Sequence, residues 1–369
     1  MKLHWSGKRA RSRGAGPQDF MESLEPRMFL SAFSWSAGEV YLTELVNRAR
    51  ANPMAEGARL GIDLTVGLNS QELARLVPQE PLALNSALTL AARAHSLDMA
   101  NRDFFDHVNP DGDDPTDRAQ ATGYFGTAGE NIAAGYDSLD AVHAGWLESL
   151  GHRLNVLSLH QNFDTGFHYD EFGPGFAYTN IGPFFDYFSQ EFGVQSGTPD
   201  LFLLGVAYND TSHDNFYSVG EGMTGVRVDV ALASNPETVV GTYTTDEAGN
   251  YQIAVPGGSY VVTFTQIATG TQFSTTATVT SVNVKRDAQA AQFAAPADDY
   301  ANAGNYPQAH VLTGDSSGNT SITGIIGITA DSDLFRYAAV RTTVTNILSV
   351  SSSNVNLVFS VYSGSGLLL

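Results

Sequence analysis

Two histidines and a glutamate stand beside apolar or glycine residues in three short fragments, and their side chains could carry chemistry. His107 ends the fragment 104–107, Glu130 follows a glycine, and His152 follows the stretch 146–151. Imidazole nitrogens and a carboxylate are the groups that a zinc site or an acid–base site needs. These residues predict where a functional site lies, while their spacing leaves open what it acts on.

Composition excludes several classes of function. The chain of 369 residues has 19 basic and 39 acidic residues, a formal net charge of −20, and no cysteine. An acidic chain of this kind should repel nucleic acid and anionic membranes. Without cysteine, disulfides, thiolate zinc sites and a cysteine nucleophile are excluded. No run of about 18 apolar residues occurs, so no transmembrane helix is predicted.

Helices are predicted around the first fragment. Apolar residues recur at helical spacing over residues 36–60, and Asn52-Pro53 should end or kink that helix. Residues 71–77 favour a short helix, and Asn85 is the expected N-cap of a longer one that reaches Asn101. His95 lies on the apolar face of this longer helix, which favours a structural role for it. The turn 111–115 should open a further helix.

The helix before the third fragment places His152. Ser138 is the expected N-cap of a helix that runs through Ser149, with Trp146 and Leu150 facing inward. Gly151 should end this helix, so that His152 lies just past its C-terminus. The negative end of the helix dipole would favour a protonated or metal-bound imidazole there.

Five ordered motifs between Leu82 and Gly193 resemble the CAP superfamily, the cysteine-rich secretory, antigen five and pathogenesis-related proteins. They are most similar to its cysteine-free bacterial branch. The motifs are Leu84-Asn85 with Ala94-His95 and Met99-Ala100, then Phe104-x-x-His107, Gly129-Glu130-Asn131-Ile132-Ala133, Trp146-x-x-Ser149-x-Gly151-His152-Arg153, and Ser189-Gln190-x-Phe192-Gly193.

This resemblance implies an α-β-α sandwich with a central cleft. It implies that His107 and His152 face each other and hold a divalent metal, often zinc, with Glu130 beside them. Eukaryotic relatives carry a second glutamate where this chain has Ser149, and Glu148 lies one residue earlier, on a different helical face. Further cleft residues that the resemblance implies are Asn131, Trp146 and Gln190. The aromatic stretch 163–192 has two interpretations, core strands or a groove for sugar or lipid, and the alternation over residues 184–192 favours strands.

From Leu201 the pattern alternates with period two, which predicts an antiparallel β-sandwich over residues 201–290. This part is similar to carboxypeptidase-regulatory-like and collagen-adhesin B-type modules, which are spacers or adhesion units. A loop at its start has the spacing of an EF-hand calcium site, with Asp210, Ser212, Asp214 and Glu221 as ligands. Asn215 stands where such loops have glycine. The alternative is an acidic linker loop.

The two ends of the chain carry further resemblances. Residues 1–33 form a basic segment, either a disordered tail or an export signal; its Leu24-Glu25-Pro26-Arg27 resembles an export or processing signal of planctomycete extracellular proteins, which favours export. Residues 297–369 are similar to part of a bacterial pre-peptidase C-terminal domain. Its aspartates, from Asp298 to Asp333, are either a second cation site or solvated turns.

The sequence therefore predicts a secreted or cell-surface multidomain protein. An α-β-α sandwich of the CAP type over residues 34–200 precedes antiparallel β-sandwich modules. The leading function is binding of a divalent metal, or of a small apolar or glycan ligand, in the His/Glu cleft. The alternatives are a metal-dependent peptidase or esterase with Glu130 as general base, and a structural surface protein with a vestigial cleft. Enzymatic activity stays open, with binding favoured, and a lipid, glycan or peptide is the expected ligand.

Overall fold

Seven helices and the first four strands alternate in the described part of the chain up to residue 197. A computed structural model describes residues 33–160, 168–180, 184–197 and 199–293, with the backbone of 310–312 and 335–337. The helices are α1 (Ala37–Ala51), α2 (Pro53–Leu60), α3 (Ser70–Ala74), α4 (Ser86–Arg102), α5 (Pro115–Ala121), α6 (Leu139–Glu148) and α7 (Leu150–Val156). The strands are β1 (Ala83–Leu84), β2 (Gly126–Ala134), β3 (Glu171–Tyr178) and β4 (Asp186–Gln195).

These strands form one sheet in the order β1-β3-β4-β2, with β1 parallel to β3 and the other pairs antiparallel. Side chains of β4 alternate between the two helical layers. Tyr187 packs with Met99 of α4, whereas Phe192 packs with Val46 of α1 and Leu147 of α6. The sheet is therefore covered by α4 and α5 on one face and by α1, α6 and α7 on the other. This arrangement confirms the predicted α-β-α sandwich.

Local signals set the helix boundaries as predicted. Asn52 ends α1, and its side chain accepts a hydrogen bond from the amide of Ala55 at the start of α2. Pro53 occupies the first turn of α2, where its missing N–H leaves no bond unmade. Asn85 caps α4 by accepting from the amides of Ala87 and Leu88.

The prediction for the end of α6 is wrong. Ser149 adopts an extended conformation with ψ of 122°, which ends α6 and begins α7. A glycine stops a helix when it takes a left-handed conformation. Gly151 is absent from the described residues of positive φ and lies inside α7. His152 is therefore in the first turn of α7, near a helix N-terminus, and Leu150 is 38% exposed rather than inward-facing.

The aromatic stretch forms strands, as the alternation predicts, while its role as a groove for sugar or lipid stays a prediction. Strands β3 and β4 form there, and Tyr169, Phe172, Tyr187, Phe188 and Phe192 are buried in the core, as the strand interpretation predicts. Other aromatics near the β3–β4 connection stay in solvent: Phe176, Tyr178, Phe184 and Phe185. Close packing of α4 onto β3 depends on glycine, because a Cβ at position 173 would meet the backbone of α4 at 2.2 Å.

The second part of the chain forms two sheets around its own core. The strands are β5 (Phe202–Tyr208), β6 (Val226–Leu232), β7 (Asn235–Thr244), β8 (Asn250–Ala254), β9 (Gly258–Gln266), β10 (Gln272–Val279), β11 (Val284–Lys285) and β12 (Ala288–Gln289). One sheet, β10-β9-β6-β7, is antiparallel throughout. In the other, β5 pairs antiparallel with β8 but parallel with β11 and β12, so the expectation of antiparallel strands alone is wrong there.

Polar contacts join this β part to the α/β part. The side-chain amide of Asn283 donates to the carbonyl oxygens of Pro81 and Asp170, at 3.1 and 2.9 Å, and Gln252 donates to that of Leu84 at 2.7 Å. Lys285 of β11 lies 2.8 Å from Glu44 of α1. The buried residues of the β core run from Leu203 to Phe293, whereas the clusters around the first sheet run from Leu42 to Val194.

Some predictions fall outside the described residues. The export signal lies in residues 1–32, and of the C-terminal domain only the parallel strands β13 (His310–Leu312) and β14 (Phe335–Tyr337) are described. The aspartates at 298, 299, 331 and 333 also lie outside them. Of the helices that are described, none has the length and apolar character to cross a membrane.

Candidate functional site

The centre of the site is a hydrogen bond between His107 and Glu130. His107 lies in the loop before α5, and its Nδ1 atom is 2.7 Å from Oε1 of Glu130 on β2. The imidazole is half-exposed, whereas the Glu130 side chain is 1% exposed. The carboxylate can only accept, so Nδ1 carries the proton and Nε2 keeps its lone pair. This bond is the largest cause of a pKa of His107 above its ordinary value.

Arg118 of α5 holds both partners of this bond. Its Nη2 atom donates to Oε2 of Glu130 at 2.5 Å, and Nη1 donates to the carbonyl oxygen of His107 at 2.8 Å and of Asp113 at 2.9 Å. The guanidinium side chain is 8% exposed. Arg118 therefore ties the His107 loop to the sheet and supplies the charge that balances buried Glu130.

His152 approaches the site from the opposite helical layer. Strand β2 is at the edge of the sheet, so α7 on one face and the His107 loop on the other can meet around it. Asn131 of β2 donates to the carbonyl oxygen of His152 at 3.2 Å. Burial, and then the charge of His107, lower the pKa of His152. Because its pKa lies below the ordinary value, His152 is neutral at pH 7. The prediction that a helix C-terminus favours a protonated or metal-bound imidazole at His152 is wrong, because His152 lies in the first turn of α7.

His95 also belongs to the surroundings of Glu130. It is 1% exposed, as its structural interpretation expects, and its Nε2 atom is 3.1 Å from the carbonyl oxygen of Asp106. The same atom is 3.6 Å from Oε2 of Glu130. Burial lowers the pKa of His95, with the charge of Glu130 opposing that shift. A neutral His95 thus lies behind the site.

A second buried carboxyl group faces Glu130 across the sheet. Glu191 of β4 is the direct cross-strand neighbour of Glu130 and is fully buried. Its Oε1 atom is 3.7 Å from Nη2 of Arg118. Neither carboxyl oxygen has a hydrogen-bond partner among the described residues.

The other proposed cleft residues lie in the interior or at the rim. Asn131 and Gln190 are fully buried and hydrogen-bonded to each other at 3.1 Å, on the sheet face toward α7. Trp146 is 1% exposed and donates to the carbonyl oxygen of Ile132. Glu148 is exposed at the end of α6, and Ser149 is half-buried at the break between the two helices. These residues support the site from behind or flank it.

The donor set available to a metal is small. Within the described parts of the chain, no three or more His, Asp or Glu side chains converge as ligands for one metal ion. His107 and His152 offer two imidazole nitrogens, and both oxygens of Glu130 already accept hydrogen bonds. A metal held here would therefore complete its coordination with water or a ligand.

The predicted calcium loop is folded around its own amides. Asp210 accepts from the amides of Asp214 and Asn215, at 3.1 Å each, and from Ser212 Oγ at 3.3 Å. Glu221 accepts from the amides of Ser212 and Ser218 at 2.9 Å. Asn215 has φ of 59°, the left-handed conformation expected where EF-hand loops have glycine. Calcium binding itself stays a prediction.

Exposed aromatics stand beside the half-exposed His107. Phe105 is 48% exposed and Phe184 is 39% exposed, with ring centroids 6.3 Å apart. Phe184 in turn contacts the buried ring of Tyr187 at 6.1 Å. These rings form a small exposed apolar patch, with Phe105 two residues before His107 in the chain, of the kind that can contact an apolar ligand.

Sequence reasoning missed Arg118 and Glu191. Arg118 is one of few basic residues outside the first 27, and it sits one turn into a helix whose N-cap is Asp114. Glu191 follows Gln190 in a strand that is buried on both faces, where two adjacent polar residues must each find partners. These two signals were available, but their partners depend on strand register.

Comparison with known proteins finds similarity over the segment that contains the site. Residues 43–163 match the sequence profile of the cysteine-rich secretory protein family, CAP. The Bacillus subtilis protein YkwD is 40% identical over 80 residues, which are 21% of this chain and 31% of that protein. These matches support a CAP domain in the α/β part.

Two solved structures are also similar. An extracellular protein containing an SCP domain from Bacillus anthracis is 31% identical, over 31% of this chain and 34% of that chain, with a TM-score of 0.26. A cysteine-rich secretory protein from Staphylococcus aureus is 20% identical, over 42% and 38%, with a TM-score of 0.24. The chain spans about a third of the length of the Bacillus relatives.

Proposed function

We propose that the CAP domain of this chain serves outside the cell as a binding module, and that His107 and His152 hold a divalent metal, with zinc the leading candidate. The observation that carries this proposal is the 2.7 Å contact between His107 Nδ1 and Glu130. A metal-binding histidine characteristically donates its other ring N–H to a carboxylate, which fixes the tautomer and makes the free nitrogen more basic.

The protonation state of His152 suits a metal ligand. His152 is neutral because burial and the charge of His107 lower its pKa. Neutral imidazole is the form that binds zinc. Both residues lie on ordered chain, His107 beside Arg118 and His152 in the first turn of α7. Two protein ligands hold a metal more loosely than the three or four of typical sites, so binding should be reversible.

The position of Glu130 favours binding over hydrolysis. When bound, a metal at this place would polarise a ligand oxygen or lower the pKa of bound water. A general base must reach the proton that it removes. Glu130 is 6% exposed, and its oxygens already accept from His107 and Arg118. This carboxylate is therefore suited to holding the imidazole rather than to removing a proton from a substrate.

The ligand that shares the cleft is proposed to be small and apolar. Phe105 and Phe184 line the surface beside His107 and are 48% and 39% exposed. Such rings contribute a large apolar contact area to an interaction. A glycan or peptide that stacks on the same rings is the other form of this proposal.

Titration of the metal-free protein with zinc tests the metal site. Isothermal calorimetry on the full chain should show one weak site that is lost in His107→Ala and in His152→Ala. His213→Ala is the matched control, because His213 lies in an exposed loop away from the cleft and should leave zinc binding unchanged. Absence of zinc binding in the wild type, or unchanged binding in both cleft variants, would overturn the proposal.

A further inference from the structure

The antiparallel register of β2 and β4 places two glutamates directly opposite each other. Glu130 pairs with Glu191, and directly opposed side chains project from the same face of a sheet. Their Cβ atoms are then about 4.5–5.5 Å apart, where two like charges destabilise a sheet. The face in question is covered by α4 and α5, so water does not screen the pair.

Hydrogen bonding separates the roles of the two carboxyl groups. Glu130 accepts from His107 at one oxygen and from Arg118 at the other. Glu191 is fully buried, and neither of its oxygens has a donor among the described residues. An ionised carboxylate without donors is very unfavourable in the interior. A protonated carboxyl group is itself a donor, and Glu130, its direct cross-strand neighbour, is an acceptor.

The charged groups around Glu191 can balance only one ionised carboxylate of the pair. Arg118 contributes one positive charge from α5, and its Nη2 atom lies 2.5 Å from Glu130 but 3.7 Å from Glu191. His95 faces the pair from α4, and burial lowers its pKa, so it is neutral at pH 7. Asp114 at the start of α5 adds negative charge. Burial, and then the charge of Glu130, raise the pKa of Glu191 well above its ordinary value.

From this geometry we propose that Glu191 is a neutral carboxylic acid that donates a hydrogen bond to Glu130 and thereby positions Glu130 to hold His107. The pair then carries one negative charge, on Glu130, between the imidazole and Arg118. Glu191 is a positioning residue, because it acts on His107 only through Glu130. The role in metal binding rests on the proposed function, whereas the protonation state does not.

The protonation state can be measured without metal. Infrared spectra of the full chain at about pH 8.5 should contain the carbonyl band of a protonated carboxyl group that disappears in Glu191→Gln. This pH is chosen because Glu44 and Asp170, each with a pKa raised to about 7, are then mostly ionised. Glu171→Gln is the matched control, since Glu171 is a buried glutamate in the same sheet and its removal should leave the band.

A wild-type measurement covers the case in which the variant does not fold. In NMR spectra of the protein with ¹³C-labelled glutamate, one side-chain carboxyl resonance should keep the chemical shift of a protonated group at about pH 8.5. Glu44, whose pKa burial raises to about 7, is mostly ionised at this pH and does not account for that resonance. Absence of any such resonance, or an infrared band that Glu191→Gln leaves unchanged, would overturn the proposal.

Zinc affinity tests the positioning role. Glutamine is neutral and its amide can donate to Glu130, so Glu191→Gln should bind zinc within about twofold of the wild type. Glu191→Leu cannot donate and should lose roughly tenfold, the lower end of effects for residues that orient a metal ligand. Equal losses in both variants, or no loss in either, would overturn the positioning role. If the wild type binds no zinc, the proposed function falls while the infrared result still decides the state of Glu191.

Discussion

The Nδ1 atom of His107 lies 2.7 Å from Oε1 of Glu130, although the imidazole is half-exposed and the carboxylate is in the interior. This contact joins a loop before α5 to the edge strand β2. Arg118 closes the arrangement by donating to Glu130 and to the backbone oxygen of His107. One surface histidine is thus fixed in tautomer and direction by two interior side chains.

Glu130→Gln should weaken zinc binding by about 10–100-fold, the usual effect of removing a carboxylate that orients a metal-binding histidine. The amide can still accept from His107 Nδ1, but it cannot stabilise the imidazole by charge. Calorimetric titration measures the change. Glu148→Gln is the control, because Glu148 is exposed at the end of α6 and should leave affinity unchanged. A Glu130→Gln variant with wild-type affinity would contradict the assigned role.

Zinc affinity should fall as the pH drops, in two stages. The hydrogen bond to Glu130 raises the pKa of His107, so protons compete with the metal at this residue already above pH 6.5. His152, whose pKa is lowered by burial and by His107, adds its proton only below 6.5. Zinc binding should therefore release one proton just above pH 6.5, from His107, and two protons below pH 6.5, from His107 and His152. Competition with a chelator at stepped pH values measures this.

The Glu130→Gln variant provides the comparison for that profile. Losing the charge of Glu130 should move the onset at His107 to lower pH, while the His152 stage stays in place. An affinity that is constant between about pH 8 and 5, across the ordinary imidazole range, would rule out histidine ligands.

Arg118→Gln should destabilise the fold by about 3–5 kcal/mol, as expected when one partner of a buried ion pair is removed. Glu130 would keep a buried negative charge, and the oxygens of His107 and Asp113 would lose their donor. Urea denaturation measures the loss. Arg102→Gln is the control, because Arg102 pairs with exposed Asp111 and its removal should have little effect. Similar losses in both variants would show that Arg118 has no special role.

The sequence predicted those parts of the fold that local chemistry decides. The caps of α4 and α6 and the break at Asn52 depend on residues within four positions of each other. The motifs around His107, Glu130 and His152 located the site. Gly151 misled the helix prediction, because a glycine stops a helix only in a left-handed conformation and Ser149 had already broken the chain.

Contacts between distant segments were beyond prediction. The pairing of Glu130 with Glu191 depends on the register between two strands about sixty residues apart, and a shift of one residue would send Glu191 to the opposite face. The parallel pairing of β11 and β12 with β5 likewise depends on a return of the chain that period-two alternation does not encode.

The loop from Asp210 to Glu221 should bind calcium weakly, with a dissociation constant on the order of 10⁻⁴–10⁻³ M, as in extracellular modules. Bound calcium should stabilise the full chain. Hydrogen bonds from Ser212, Thr211 and Ser218 hold the pKa of Glu221 below its ordinary value despite burial, so it is ionised at pH 7. Thermal melting at ~10 mM calcium should show a rise in Tm. Asp214→Asn, which removes a proposed ligand, should reduce the rise; a Tm unaffected by calcium would remove the idea.

A fragment of residues 34–200 should fold alone, with a lower Tm than the full chain. The two cores share few apolar contacts among the described residues, and the junction is polar. Asn283 contributes several of the hydrogen bonds at this junction. Its side-chain N–H groups donate to the carbonyl oxygens of Pro81 and Asp170, and its side-chain oxygen accepts from the amide of Phe202. In the fragment, water replaces these donors.

Asn283→Ala in the full chain leaves buried groups unpaired, and should lower the free energy of unfolding by about 1–3 kcal/mol. Asn235→Ala, at an exposed position, is its control. Circular dichroism and thermal melting measure both effects, and a fragment without a cooperative transition would show that the α/β core depends on the β part.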